Sequence, residues 1–305
     1  MNIEILGSSA GGGLPQWNCG CPNCVSVRSG APGISARSQD SIAVSADGSR
    51  WLLCNASPDI AAQLAASPRL HPRTTRESRI DAIVLTNGDV DHCLGLFNLR
   101  ESQPLAIYAT ETVWRGLAEH NVLVRTLQRF AGHTVWRQLV LDAPTEVADP
   151  GGVPLGLTIT ARAVHGKRPV HLELAQVAEV SPEDNVGLEI TAADGKRLAY
   201  VPGAAQAEAV RAFGRLDCLV FDGTFWTDDE MIRMSTGTGR ASAMAHLPIS
   251  GEAGSLAALA DAPARRRIYT HINNTNPILR DGSSERRAVE AAGWEVAYDG
   301  MRLTL

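Results

Sequence analysis

Leu85-Thr-Asn-Gly-Asp-Val-Asp-His-Cys-Leu-Gly-Leu96 is the stretch from which both the architecture and the chemistry of this chain can be inferred. It begins where the apolar run Asp81 to Leu85 ends, and such a run is typical of a buried β-strand. Loops at strand ends are where a rigid scaffold carries its binding and catalytic groups. Asp89 and Asp91, followed at once by His92, can converge on one cation. The alternative is a polar turn in which Asp91 caps the helix that follows.

Two later segments also place a polar side chain at the end of an apolar run. His271 follows the short strand Ile268 to Thr270, and Asp222 follows the apolar run Asp217 to Phe221. Because strand ends can share one face of a sheet, we expect His271 to join Asp91 and His92. For Asp222 alone, a turn or a helix cap remains an open interpretation.

Three thiols lie within the short loop Cys19-Gly-Cys-Pro-Asn-Cys24. Gly and Pro allow such a loop to turn its side chains toward one point, so we predict a structural Zn²⁺ held by Cys19, Cys21, Cys24 and one further ligand. His246 is a candidate for that ligand or an ordinary loop histidine. Uncoordinated thiols or a redox pair are the alternatives. The other three cysteines lie in or beside apolar runs and are predicted core residues: Cys54, Cys93 and Cys218.

Turn signals organise the rest of the chain. Asp47-Gly48, Asp194-Gly195 and Asp299-Gly300 each separate two apolar segments, and this dipeptide accepts the positive φ angles of a hairpin turn. Helices are predicted between the hairpins, over residues 57–66, 205–213, 250–261 and 284–292. Hairpins interspersed with helices favour a mixed α/β protein with two large sheets that face each other. No long linker is evident, so we predict a single domain over residues 1–305, which includes the cysteine loop at 19–24.

Charge and composition exclude several classes of protein. The 28 Lys and Arg residues against 33 Asp and Glu residues give a net charge of −5 and no basic field for nucleic acid. The N-terminus lacks a signal-peptide pattern, and no apolar run reaches the ~18 residues of a membrane span, so we expect a cytoplasmic protein without membrane insertion. The basic segment Gly166-Lys-Arg-Pro169 is interpreted as a surface loop, with contact to an acidic substrate as the alternative. The oligomeric state is left open.

The pairing of the Leu85–His92 segment with a late His271 resembles the metallo-β-lactamase superfamily, whose signature is His-x-His-x-Asp-His. This resemblance implies an α/β fold, a four-layer αββα sandwich with a metal site at the edge between its two sheets. Within the superfamily, the chain resembles the B-protein family of pyrroloquinoline quinone (PQQ) biosynthesis. The strings that carry this closer resemblance are Gly12-Gly-Leu-Pro-Gln-Trp-Asn-Cys-Gly-Cys-Pro-Asn-Cys24, Asp222-Gly-Thr-Phe-Trp226, His246-Leu-Pro-Ile-Ser-Gly251 and His271-Ile-Asn-Asn-Thr-Asn-Pro-Ile-Leu279.

The chain departs from the superfamily signature at three positions. Asn87 and Asp89 stand where the signature has its first two histidines, and Gly203 stands where the superfamily has a metal-bridging aspartate. A dinuclear zinc hydrolase is therefore disfavoured. The residues that remain are one carboxylate and two imidazoles: Asp91, His92 and His271. This ligand composition favours a mononuclear non-haem Fe²⁺ with open coordination positions.

The resemblance also implies an activity. It implies an iron-dependent, O2-using hydroxylation of the tyrosine ring in a cross-linked Glu–Tyr intermediate cut from a ribosomal precursor peptide. Four candidate catalytic residues would orient this acidic substrate and move protons, with help from the amide of Asn274: Asn87, Asp89, Asp222 and Asn273. The alternatives are a carrier that assists transport of PQQ or its precursor to the periplasm and, third, a metal-dependent hydrolase.

A resemblance to phosphodiesterase relatives bears on the cysteine loop. These members of the superfamily carry a similar Cys-x-Cys-x-x-Cys loop and a later histidine. The resemblance therefore implies that His246 is the fourth ligand of the structural zinc rather than a catalytic residue.

Overall fold

Several strands are apolar at every position because both of their faces are buried. In the computed structural model, which describes residues 1–101, 103–121, 127, 132–169 and 180–305, Leu52 and Cys54 face one hydrophobic cluster while Trp51 and Leu53 face another. The first of these clusters joins side chains from two sheets, and two further clusters lie between a sheet and its outer helices. The molecule is thus the αββα sandwich that the resemblance implies.

The first sheet pairs the two ends of the chain at one of its edges. Its first four strands are antiparallel neighbours and its last four are parallel. In spatial order the described strands are β14 (Met301–Thr304), β1 (Asn2–Gly7), β2 (Ser41–Ser45), β3 (Trp51–Cys54), β4 (Ile80–Val84), β5 (Leu105–Thr110) and β6 (Thr134–Leu139).

The second sheet has the same division into a parallel and an antiparallel half. In spatial order its described strands are β13 (Glu295–Val296), β12 (Ala264–Thr270), β11 (Leu216–Asp222), β10 (Arg197–Val201), β9 (Val186–Ala192), β8 (Pro154–Ala163) and β7 (Pro144–Ala148).

The helices are short and cover the outer faces of the sheets. Those in the described residues are α1 (Pro22–Arg28), α2 (Ile60–Ala66), α3 (Val90–Cys93), α4 (Glu111–His120), α5 (Glu208–Arg211), α6 (Glu230–Arg233), α7 (Ser255–Ala258) and α8 (Ser284–Ala291), with 3-10 turns at Pro68–Leu70, Leu94–Leu99, Ser242–Met244 and Pro277–Leu279. None of the described helices combines the length and the apolar character that crossing a membrane requires.

Two predicted helices are much longer than the observed ones, α5 and α7. The amide of Ala205 donates to the carbonyl of His165, so helix α5 does not extend back to that residue. The amides of Ser255 and Leu256 donate to the carbonyls of Pro248 and Ile249 in the preceding loop. These backbone N–H groups bond to loop carbonyls outside the helix, and both helices therefore begin later than predicted.

Two of the three predicted hairpins are confirmed, and the third is wrong. Strands β2 and β3 pair antiparallel, as do β9 and β10. Strands β13 and β14 instead join different sheets. The turn between them is held by Asp299, whose carboxylate accepts from Ser8 Oγ at 2.8 Å and from the Ser38 amide at 2.6 Å. The last turn therefore connects the two layers of the sandwich.

Candidate metal centre

A cleft of about 570 Å³ opens beside the carboxyl ends of strands β4, β11 and β12. The glycine-rich loop after β1 forms one of its walls, because Ala10 and Gly11 line the cleft. This loop is tied to the segment after β12: the Ile272 amide donates to the Ser8 carbonyl at 2.9 Å, and the Ala10 amide donates to the Ile272 carbonyl at 3.0 Å. The fold thereby brings loops from both sheets to one cleft.

Asp91, His92 and His271 meet on one side of this cleft. Nε2 of His271 lies 3.3 Å from Oδ2 of Asp91, and Nε2 of His92 lies 3.9 Å from the same oxygen. One ligand atom from each residue lies within 4.8 Å of the other two. Atoms bound at ~2.1 Å to one ion lie roughly 3 to 4 Å apart, so the three side chains fit a common cation. Asp91 is 22% exposed, which leaves the cleft side of the group open.

Two threonine hydroxyls orient the two imidazole rings. Thr86 Oγ1 lies 3.0 Å from Nδ1 of His92, and Thr224 Oγ1 lies 2.8 Å from Nδ1 of His271. Each hydroxyl also donates to a second acceptor, Oδ1 of Asn55 at 3.1 Å for Thr86 and Oδ1 of Asp222 at 2.6 Å for Thr224. Each hydroxyl oxygen can therefore accept a hydrogen bond from Nδ1–H of its histidine, and this tautomer of the neutral ring leaves Nε2 with a free lone pair for a metal.

Burial and mutual attraction shift the pKa values of these three groups. Burial lowers the pKa of His92 to about 4, although Asp91 attracts its charged form. Burial also acts to lower the pKa of His271, but the hydrogen bond and charge of Asp91 raise it to about 9. Burial acts to raise the pKa of Asp91, yet attraction to His92 and His271 holds it well below its usual range. A cation would therefore meet an ionised carboxylate and a neutral His92, and would displace a proton from His271.

Asp222 and His246 form a second group beside the first. Nδ1 of His246 lies 2.7 Å from Oδ2 of Asp222, and the ring of His246 stacks on that of His271 with centroids 5.4 Å apart. The Thr224 hydroxyl lies 2.6 to 3.1 Å from Asp222, His246 and His271, and it fills the space between them. This group is thus a hydrogen-bond network around a hydroxyl, and its three side chains, Asp222, His246 and His271, also bring one ligand atom each within 4.8 Å of the others.

This arrangement differs from two of the sequence predictions. His246 does not belong to the cysteine group, because Asp222 and the His271 ring hold it at the cleft. Asp222, predicted as catalytic, is completely buried, and it does not line the cleft. Attraction to His246 and His271, with hydrogen bonds, lowers its pKa although burial acts to raise it. Asp222 can therefore act on a ligand only through residues that do line the cleft, such as His246 and Thr224.

The three cysteines form a separate group, and an asparagine completes it. The thiols of Cys19, Cys21 and Cys24 come within 4.8 Å of one another. Nδ2 of Asn274 lies 3.1, 3.5 and 3.3 Å from their respective sulfurs. Burial raises the pKa of Cys21 to about 11, so a bound cation would displace its proton. A half-turn of the Asn274 amide would present its oxygen to a cation at the same place.

The remaining predicted residues lie along the cleft. Asn87, Asp89 and Asn273 all line it. The amide of Asn87 is used on both sides: Nδ2 donates to Asn185 at 3.2 Å, and Oδ1 accepts from the Asp89 amide at 3.0 Å. Burial and the charge of Asp91 raise the pKa of Asp89 to about 6. Asn274, expected to contact the substrate, faces the cysteines instead.

Sequence reasoning missed the threonines and one amide that support these sites. Thr86 precedes Asn87, and Thr224 follows the Asp222-Gly dipeptide. Both are therefore polar residues next to predicted site residues. Nothing in the spacing shows that their hydroxyls reach histidines six and 47 residues away. The role of Asn274 was likewise hidden, because its partners lie about 250 residues earlier in the chain.

Comparison with known proteins agrees with this fold. Residues 50–272 match a family model described as the beta-lactamase superfamily domain. The Coenzyme PQQ synthesis protein B of Methylobacterium sp. (strain 4-46) is 49% identical over 313 aligned residues, with 100% of both chains covered. That of Gluconacetobacter diazotrophicus is 44% identical and covers 100% of this chain and 99% of its own.

Two solved structures are similar in fold. The crystal structure of Zn²⁺-bound PqqB from Methylobacterium extorquens has a TM-score of 0.92 and 45% sequence identity, with both chains fully covered. A diphosphatase from the PhnP family has a TM-score of 0.67 over 100% of this chain and 97% of its own. At 19% identity the second similarity shows a common fold alone.

Proposed function

The chain belongs to the coenzyme PQQ synthesis protein B family of the beta-lactamase superfamily, and from this premise we propose that it is an iron-dependent hydroxylase of PQQ biosynthesis. Its substrate would be the tyrosine ring of a cross-linked Glu–Tyr precursor. The observation that carries the proposal is the group of one carboxylate and two imidazoles at an open cleft, formed by Asp91, His92 and His271.

The donor set matches the proposed cofactor. Two histidines and one carboxylate with open positions are typical of non-haem Fe²⁺ oxygenases. When bound, Fe²⁺ supplies the redox chemistry needed to activate O2, which the redox-inactive Zn²⁺ does not supply. The side chains contribute orientation, because the hydroxyls of Thr86 and Thr224 fix the rings of His92 and His271.

Proton transfer is assigned to the pair of Asp222 and His246. Because Nδ1 of His246 is bonded to Asp222 at 2.7 Å, Nε2 is the ring nitrogen left to exchange a proton with a ligand. His246 lines the cleft and is 16% exposed, so it is accessible to that ligand. Asp89 and Asn273 line the same cleft and would orient the substrate.

The cysteine group is proposed to hold a structural Zn²⁺. Three thiols in a closed, mostly buried group suit a structural site. The Zn²⁺-bound crystal structure of the Methylobacterium extorquens relative is consistent with a zinc site in this family. In place of His246, we assign the fourth position to the Asn274 side chain, which lies within 3.5 Å of all three sulfurs.

Anaerobic reconstitution with Fe²⁺ tests the proposed activity. Supplied with O2, an external two-electron reductant and a Glu–Tyr substrate, the iron-loaded protein should consume O2 and form a catechol. His92→Ala should abolish this turnover, whereas His120→Ala, which removes an exposed histidine at the end of α4, should not. Equal activity of protein loaded with zinc alone would exclude the proposal.

The two other functions predict different results. A carrier would bind the finished quinone tightly without turnover under any metal condition. A hydrolase would cleave an ester or phosphodiester in metal-replete samples. The hydrolase is disfavoured because Asn87, which is hydrogen-bonded to Asn185, and Gly203 stand where a dinuclear site would have metal ligands.

A further inference from the structure

We propose that Lys167 recognises a carboxylate group of the ligand that occupies the metal cleft. The inference rests on the proposed function only in its expectation of an acidic, tyrosine-containing ligand. One side chain would then bind the negative charge of the ligand. The segment Gly166-Lys-Arg-Pro169 is not a plain surface loop, because its first two residues form part of the cleft wall.

Lys167 contributes a positive side chain to the wall of this cleft. Among the described residues that line it, Lys167 is the sole lysine or arginine, while Asp89 and Asp91 contribute negative charge. Lys167 also makes no ion pair with any residue that the structure describes. The adjacent Arg168, in contrast, lies 4.0 Å from the buried Asp184. The ammonium group of Lys167 is thus available for a ligand.

The backbone at Lys167 is fixed relative to the metal ligands. Nδ2 of Asn185 donates to the Lys167 carbonyl at 2.7 Å, and Oδ1 of Asn185 accepts from Asn87 at 3.2 Å. Gly166 packs so closely on Asn185 that a Cβ at this position would lie 2.4 Å from the amide carbon. Asn87 lies four residues before Asp91. A free side chain therefore stands on a backbone anchored to the metal-binding loop.

The rest of the cleft suits a ligand that carries an aromatic ring. Phe225, Met231 and Met244 provide an apolar part of its lining. Methionine sulfurs and aromatic edges make favourable contacts with aromatic rings. A lysine ammonium binds a carboxylate through charge-assisted hydrogen bonds. The chemical class that fits is an amino-acid-derived aromatic carboxylate.

The competing interpretation is that Lys167 only neutralises Asp89. Its charge does favour the ionised form of Asp89, although no ion pair joins the two residues within the described structure. On that interpretation, removal of the ammonium would alter metal binding, because Asp89 lies two residues from Asp91. If Lys167 instead binds the ligand carboxylate, removal of its ammonium group would weaken ligand binding and leave the metal in place.

The amine chemistry of the chain allows a direct test. Lys167 and Lys196 are the two lysines of the sequence, and all other Lys and Arg positions are arginine. Lys196 is paired with Asp217 at 3.7 Å and serves as the internal reference. Zinc-loaded full-length protein would be acetylated with a limiting amine-reactive reagent, with and without the dipeptide Glu–Tyr, and labelling would be read by mass spectrometry. All dipeptides would carry an N-acetyl group, so that they do not consume the reagent.

The dipeptide should slow acetylation of Lys167 at least fivefold and leave Lys196 unchanged, whereas Glu–Tyr with both carboxyl groups amidated should protect neither lysine. Lys167→Met should weaken dipeptide binding ~10-fold or more without loss of metal, and the matched Lys196→Met should bind normally. Equal labelling of Lys167 with and without dipeptide, or loss of metal in Lys167→Met, would overturn the inference. Lysine-dependent binding without iron-dependent hydroxylation would instead overturn the proposed function.

Discussion

Thr224 links three functional side chains through one hydroxyl. It lies within 3.1 Å of Asp222 and of the His246 and His271 rings, and its oxygen is also 2.9 Å from the His271 carbonyl oxygen. A residue of the same volume without the hydroxyl would leave Nδ1 of His271 unpaired and its tautomer unfixed.

Thr224→Val should therefore weaken metal binding at Asp91, His92 and His271 by about 10- to 100-fold, as measured by metal titration. Thr224→Ser, which keeps the hydroxyl, should retain most of the affinity. Equal affinities of the wild-type and valine proteins would show that the hydroxyl does not orient His271.

Glu230 carries a pH-dependent contribution to stability. It is 3% exposed, and burial raises its pKa to about 7, although hydrogen bonds from Thr275 and Trp226 favour the carboxylate. Between pH 4.5 and 7 the folded chain thus binds a proton that the unfolded chain has released. The contribution of Glu230 to stability therefore falls as pH rises through this window.

Glu230→Gln removes this titration. From pH 5 to pH 8 the unfolding free energy of the wild type should fall by about 2.5 kcal/mol relative to that of the variant. Denaturant unfolding of both proteins at fixed metal loading measures this change. Hydrogen bonds lost in the variant would shift its stability equally at every pH, so they do not affect the pH dependence. A pH-independent difference would contradict the burial of this charge.

The candidate metal residues were predictable because each lies in a polar segment that follows a buried strand. Asp91, His92 and His271 follow β4 and β12, whose ends reach one cleft, and local sequence shows both strand and polar residue. Side-chain contacts between residues far apart in the sequence were not predictable. Asn274 and His246 differ from their predicted roles because their partners lie in other loops.

The same distinction holds for the predicted hairpins. Asp47-Gly48 joins strands that pair with each other, and its turn could be identified locally. Asp299-Gly300 has the same sequence signal, but β13 pairs with β12 and β14 pairs with β1. A turn dipeptide specifies a reversal of the chain, whereas the partner of each strand is set by the packing of whole sheets.

The glycine-rich loop after β1 limits the position of Asp91. A Cβ at Gly11 would lie 3.0 Å from Oδ2 of Asp91, and the larger valine would extend further into the carboxylate. Gly11→Val should displace Asp91 and reduce metal affinity at least tenfold, with the cysteine-bound zinc retained. Gly20→Val is a matched control, since a Cβ there meets nothing within 4 Å. Unchanged affinity in Gly11→Val would show that the loop is free to move away.

The cysteine loop contributes to the outer layer of the second sheet. Cys21 and Cys24 are buried in the cluster that also contains Phe221, Tyr269 and Val289. Zinc bound by this loop would couple metal binding to packing of the whole layer.

Chelation should therefore lower the thermal midpoint by on the order of 10 °C, as followed by calorimetry. Asp91→Ala should show the same decrease. Cys21→Ser should begin at the lower midpoint and respond little to chelator. A full chelator response in the cysteine variant would place the stabilising metal elsewhere.

The proposed function requires two chemically different metal sites in one molecule. Elemental analysis of anaerobically purified, iron-reconstituted protein tests this most directly. The wild type should contain about one iron and one zinc per chain, Asp91→Ala should keep zinc and lose iron, and Cys21→Ser should keep iron and lose zinc. Iron that persists after Asp91→Ala would contradict the assignment of Asp91, His92 and His271 as its ligands.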